Sequence, residues 1–237
     1  MLLKYLASLM AAERTARSNL HLGLALSFVA GMLNAGGFLA IGQYTSHMTG
    51  MVSSAADYLV LGNIAMVLAA FLSIASFVAG AATTAWLVSY ARRHAMHNLY
   101  TPPLLLEAFL ILVFGVAGSN LQTHELVSLS FTAMLLCYTM GLQNALVTKV
   151  SNAEIRTTHV TGLITDLGIE LGRLLYWNRQ ADRDAPKILV NRKKLLMHAG
   201  LVMAFFIGGV TGAAGFKFFG YSFTIPIALV LSVMAFG

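Results

Sequence analysis

The residues best suited to chemistry lie in two matching blocks. Thr45-Ser46-His47-Met48-Thr49-Gly50-Met51-Val52-Ser53 recurs as Thr157-Thr158-His159-Val160-Thr161-Gly162-Leu163-Ile164-Thr165, identical or chemically alike at every position. Upstream, Gly31-Met-Leu-Asn34-Ala35 recurs as Gly141-Leu-Gln-Asn144-Ala145, and the linker to the second block is longer in the second copy. An apolar composition does not supply His, Thr and Gly in register by chance, so the chain reads as a duplication. A hydroxyl just ahead of a helix suits an N-cap, a role that falls to Thr45 or Ser46 and to Thr157 or Thr158. A helix that begins inside a membrane turns free N–H groups and the positive end of its dipole toward whatever lies in front of it. Such an end binds an anion or a dipolar solute. The candidate solute-binding set is therefore His47, Thr49, His159 and Thr161, together with Asn34 and Asn144 at matching places on the first helix of each half.

Each assignment has a structural competitor. The histidines can simply bond a neighbouring carbonyl, Thr49 and Thr161 can back-bond to their own helix, and the two asparagines can lock the halves together. Gln143, beside Asn144, faces only Leu33 in the other copy and ranks lower. Asp166, about two turns beyond His159, is a proton-carrying coupling group if it is buried. Glu107 lies near the start of its helix and is expected to snorkel to water. Arg156 and Arg173 flank the second short segment and attract an anion or fix orientation. His94 and His97 have no carboxylate or thiolate companions, so no metal site is assigned. No phosphate-binding glycine loop, zincin motif or nucleophile elbow occurs, so the chain is read as neither an ATPase nor an enzyme, with no cofactor.

These blocks must be positioned by helices in a bilayer. The chain is 58% hydrophobic and 10% charged, whereas a soluble domain carries roughly 25% charged residues. Six apolar runs, about 20–42, 63–91, 102–118, 126–148, 195–216 and 221–237, approach the ~20 residues that cross a hydrocarbon layer. The segments 47–62 and 159–176 look helical, but they are short or charged and are expected to dip into the membrane without crossing it. With that assignment Arg14, Arg17, Arg92, Arg93, Lys149, Arg156 and the basic loop from Arg173 to Lys194 share one side, and only Lys217 lies on the other. The net charge of +6 is then positive-inside topology, not a nucleic-acid surface, and both termini are cytoplasmic. Eight spans is the competing count. Residues 1–19 read as an amphipathic cytoplasmic leader, and Cys137, inside a run, reads as a packing residue.

The fold expected is an all-α polytopic membrane protein with six transmembrane helices plus two half-membrane helices. It forms one domain over 1–237, with repeats over 20–118 and 126–237. Three crossings per half turn the second copy upside down, the inverted-repeat arrangement of many transporters. The small residues Gly208, Gly209, Gly212 and Gly215 suit close helix packing, within the chain or in a homodimer.

The stretch Arg156-Thr-Thr-His-Val-Thr-Gly-Leu-Ile-Thr-Asp-Leu-Gly168, with Gly141-Leu-Gln-Asn-Ala145 ahead of it, resembles the YoaK-like family of bacterial inner-membrane proteins, from about Leu22 to the end. Members of that family usually carry Asn-x-Thr-Gly-Asn in the first half, after an Asp-containing helix. Here His47 and Met51 take the Asn places, and Asn34 stands where the Asp is expected. The resemblance implies an inner-membrane location and a small-permease character. The function expected is a secondary transporter or facilitator for a small polar or anionic solute bound between the two dipping helices, with the lipid bilayer as solvent. A non-transporting scaffold or regulatory protein is the alternative, and an intramembrane enzyme ranks last.

Overall fold

A computed structural model describes residues 15–96, 98–119, 125–151, 157–176 and 187–236. These residues are helical almost throughout: α1 (Ala16–Ile41), α2 (Met48–Val60), α3 (Ile64–Arg93), α4 (Thr101–Ser119), α5 (Glu125–Val150), α6 (Val160–Leu175), α7 (Arg192–Phe219), a 3-10 turn (Gly220–Phe223) and α8 (Thr224–Phe236). The six long runs read from the sequence fall on α1, α3, α4, α5, α7 and α8, and the two short segments are α2 and α6. Most of the expected leader lies outside the described residues. Its end is already helical, started by Thr15, whose hydroxyl accepts the Ser18 N–H at 3.1 Å.

Four stretches among the described residues are long and apolar enough to cross a membrane: Arg17–Ile41, Ile64–Arg93, Thr101–Ser119 and Arg192–Phe236. The last contains α7 and α8, separated where Gly220 takes a left-handed φ of 58° that a side chain would strain. From Ile64 to Ala91 there is no charged residue, and Leu68, Phe71, Leu72, Val78 and Trp86 all point outward. An outward apolar face of that length is stable against lipid tails and not against water.

The tight contacts pair helices from opposite halves. α1 lies along α7 and α5 lies along α3, while α1 also touches α5. A Cβ on Gly31 would sit 2.1 Å from the Phe205 carbonyl oxygen, and one on Gly208 would sit 2.0 Å from that of Phe28. In the other pair, a Cβ on Gly141 would sit 2.0 Å from the Phe77 oxygen and one on Gly80 2.0 Å from that of Tyr138. In each case glycine lets backbones meet, which is how helices associate where lipid removes the hydrophobic drive. Gly208 and Gly212 are occupied by α1, and Gly215 by the Phe223 ring, so these three glycines are used inside the chain.

The remaining elements follow the same plan. α2 packs on α3 and α6 on α7, while α4 packs on α8 and α5. Asn63 and Asn191 cap α3 and α7, accepting the N–H of Met66 at 3.2 Å and of Lys194 at 3.1 Å. α4 and α8 both open with Thr-x-Pro, where the missing proline N–H costs nothing. Thr101 Oγ1 donates to the Ala235 carbonyl at 2.8 Å and ties the two together. Glu107 corrects an expectation. It does not reach water but is 0% exposed, because α4 turns that face inward with Leu104, Ala108 and Ile111.

Candidate functional site

The two His-x-Thr-Gly blocks form the segments that lead into α2 and α6. His47 and His159 themselves occupy the N-cap positions, and neither side chain makes a capping bond. This corrects the expectation that Thr45 or Ser46, and Thr157 or Thr158, cap these helices. The helices start a residue or two later, and the hydroxyls are directed inward instead. The N-cap side chain thus covers the first-turn N–H groups of neither short helix, an arrangement in which a helix end can receive a polar solute.

The inward hydroxyls do matching work. Ser46 Oγ donates to Asn34 Oδ1 at 2.9 Å, and Thr158 Oγ1 donates to Asn144 Oδ1. Each asparagine therefore holds the segment ahead of its own half's short helix and does not bridge the halves. Asn144 also gives its amide N–H to the Met140 carbonyl at 2.8 Å, so both ends of its side chain are engaged. Gln143 does reach across the halves: its Nε2 donates to the Leu26 carbonyl on α1 at 3.2 Å. Its lack of a polar counterpart in the first half hid this role.

Thr45 and Thr157 are both 0% exposed, and neither hydroxyl oxygen has a partner. Ser27 Oγ on α1 lies 3.3 Å from the Thr157 carbonyl and 3.1 Å from that of Leu201. Asn34 stands seven positions along the same helix, roughly 10 Å further on. Both segments are thereby seated against the central α1 and α5 pair, one at Asn34 and the other at Asn144 and Ser27. Gln143 Oε1 is a third buried oxygen without a partner in this interior. A buried polar atom without a partner is costly, so each of these positions suits a place where water or solute completes the bonding.

The outer members of the candidate set are less enclosed. His47, Thr49, His159 and Thr161 are exposed at the helix starts. The His47 ring covers Gly50, whose Cβ would fall 2.2 Å from its Cδ2, whereas Gly162 has nothing within 4 Å. Thr161 accepts through its carbonyl from Thr165 Oγ1 at 2.9 Å.

Asp166 is not buried: its side chain is 55% exposed, so the condition set for a coupling role is not met in this arrangement. It faces a polar cleft of about 590 Å³ between α6 and the start of α7, lined also by Glu170, Arg173, Lys194 and His198. Asp166 Oδ2 stands 3.9 Å from His198 Nε2. The buried Glu170 is held on both oxygens, by Arg173 at 2.7 Å and by the Asn191 backbone N–H at 2.7 Å. Arg173 thus secures the end of α6, while Arg156 and His97 lie outside the described residues. His94 packs on Tyr90 with ring centroids 4.3 Å apart. Among the described residues, no group of three or more His, Cys, Asp or Glu side chains is placed to hold a metal ion.

Residues 22–237 match a family described as "Protein of unknown function (DUF1275)". The chain is also similar to the UPF0700 transmembrane protein YoaK of Bacillus subtilis (strain 168), 23% identical over 211 residues that cover 88% of this chain and 89% of that one. No solved structure matches it. With its long apolar helices packed through glycines and a match that runs over nearly the whole length, this multi-pass membrane protein belongs to the DUF1275, YoaK-like family.

Proposed function

We propose that the chain is a secondary transporter or facilitator for a small polar or anionic solute, received where the uncapped starts of α2 and α6 meet the α1 and α5 pair. The observation that carries this reading is the doubled tether, Ser46 to Asn34 and Thr158 to Asn144, at the head of two uncapped short helices. The exchange of partners between halves, α1 with α7 and α5 with α3, supports an internal two-fold of inverted repeats, six spans and two half-membrane helices. In that arrangement one helix start opens to each side of a bacterial inner membrane, with both termini cytoplasmic, and rocking of one half on the other alternates access. His47, His159, Thr49 and Thr161 contact the solute, and Asn34 and Asn144 hold the helix starts in place.

Flux of small anions and polar solutes into proteoliposomes tests this reading, with wild type compared with a His47→Ala/His159→Ala double variant. A solute carried by wild type and slowed in the variant supports it. Equal rates in both would remove the histidines from the mechanism. If no solute moves, and none raises thermal stability as a ligand of the folded state must, the scaffold reading prevails.

A further inference from the structure

Within the four stretches long and apolar enough to cross the membrane there is one acidic residue, Glu107 on α4. It is 0% exposed, and neither carboxyl oxygen has a hydrogen-bond partner. Among the described side chains, the elements packed on α4 place no ion-pair partner on Glu107. α8 carries no titratable side chain. In the 3-10 turn, Tyr221 packs edge-on to Phe114 with centroids 5.8 Å apart. On α5, Cys137 is a buried thiol, Tyr138 gives its hydroxyl to Thr83 at 2.6 Å, and Lys149 is exposed near the helix end. On α3, Tyr90 stacks between Trp86 and His94, and Arg92 and Arg93 lie in the exposed last turn. The ion pairs among the described residues are Arg173 with Glu170 and His198 with Asp166, and Glu107 is in neither.

A carboxylate removed from water without a counter-charge is far too costly to persist, and the group neutralises by taking a proton. The surrounding face of Leu104, Ala108, Ile111 and Phe114 would pack a leucine without the penalty of unbonded oxygens. An acid kept in such a position inside a membrane span is a mark of proton handling. We propose that Glu107 is a proton-binding site of the membrane interior, protonated in the packing described and ionised only when α4 parts from α8 or α5 far enough to admit water. Its use as the coupling group rests on the transport reading, and there it takes the place the sequence suggested for Asp166. The proton site itself does not depend on that reading.

Infrared difference spectroscopy of wild type and Glu107→Gln in proteoliposomes reads the proton directly. Expected at neutral pH is a protonated-carboxyl C=O band that shifts in D₂O, is absent from Glu107→Gln and gives way to carboxylate bands as pH rises. A missing band at neutral pH, or one that never titrates while the protein stays folded, would falsify the proposal. Dicyclohexylcarbodiimide, which adds across the O–H of a protonated acid, needs no variant. Its labelling of the Glu107 peptide should fall about tenfold per pH unit once the acid ionises, and a labelling rate flat in pH counts against the site. In the flux assay, Glu107→Gln should abolish acceleration by a proton gradient while still eluting as a single folded species. A titrating band with no flux in wild type leaves the site standing and removes the transport reading. Flux without a titrating band does the reverse.

Discussion

The two short helices begin alike and end differently. Ahead of α2 and α6 the same plan holds the chain: a buried unbonded threonine, a hydroxyl on the preceding helix's asparagine, and a histidine at the N-cap position whose side chain makes no capping bond. Further along, α2 carries a single charged residue, the exposed Asp57, and Asn63 gives its N–H to the Tyr58 carbonyl at 2.9 Å. At the place of Tyr58, α6 has Glu170, whose carboxylate takes both Arg173 and the Asn191 N–H. α2 thus reaches α3 through backbone and apolar side chains, while α6 reaches α7 through a charged network beside a polar cleft. The two segments stay alike where a backbone must be pinned in place. They diverge at their far ends, where one carries a charged network and the other a backbone bond.

The glycine crossings offer the strongest way to break the likeness of the halves. Gly31→Ala and Gly141→Ala each drive a methyl into a backbone carbonyl that cannot rotate aside. Each should cost about 3 kcal/mol or more, read as a lower midpoint in detergent-induced unfolding, and a clear inequality between them would mean that the two crossings are not equivalent. Next in size is the contrast between the short-helix ends. Glu170→Ala leaves the Asn191 N–H without its acceptor and should cost about 1–2 kcal/mol, discounted because Arg173 is half exposed. The matching N–H in the first half is bonded to a backbone oxygen, which no side-chain truncation removes.

The tethers sharpen the comparison further. Asn34→Ala and Asn144→Ala should each cost about 0.6–1 kcal/mol, typical of polar bonds between helices in lipid, with Asn144 the larger because it is the more buried. Their double variant should be additive, since each acts within its own half. Strong coupling between them would indicate that the tethers communicate. The last contrast separates Gly50 from Gly162. Gly162→Ala enters open space and should gain up to about 1 kcal/mol of helix propensity, seen as a higher melting midpoint. Gly50→Ala must first displace the His47 ring and should show no such gain.

The sequence by itself pointed to a bilayer as the solvent and to eight helical segments in their order, because apolar run length is a property of the chain alone, as is the recurrence of a nine-residue block. It also singled out Asn34, Asn144 and the two histidines. Only the tertiary structure decided what those residues touch. That Ser46 and Thr158 bond the asparagines and do not cap helices, that Gln143 bridges the halves, that Asp166 is exposed and that Glu107 is sealed from water all depend on which way a helix is turned. On helices that are apolar around most of their circumference, such as α4, periodicity carries little record of the inward face. Rotation is then set by glycine contacts between segments far apart in the chain, and no local pattern encodes those.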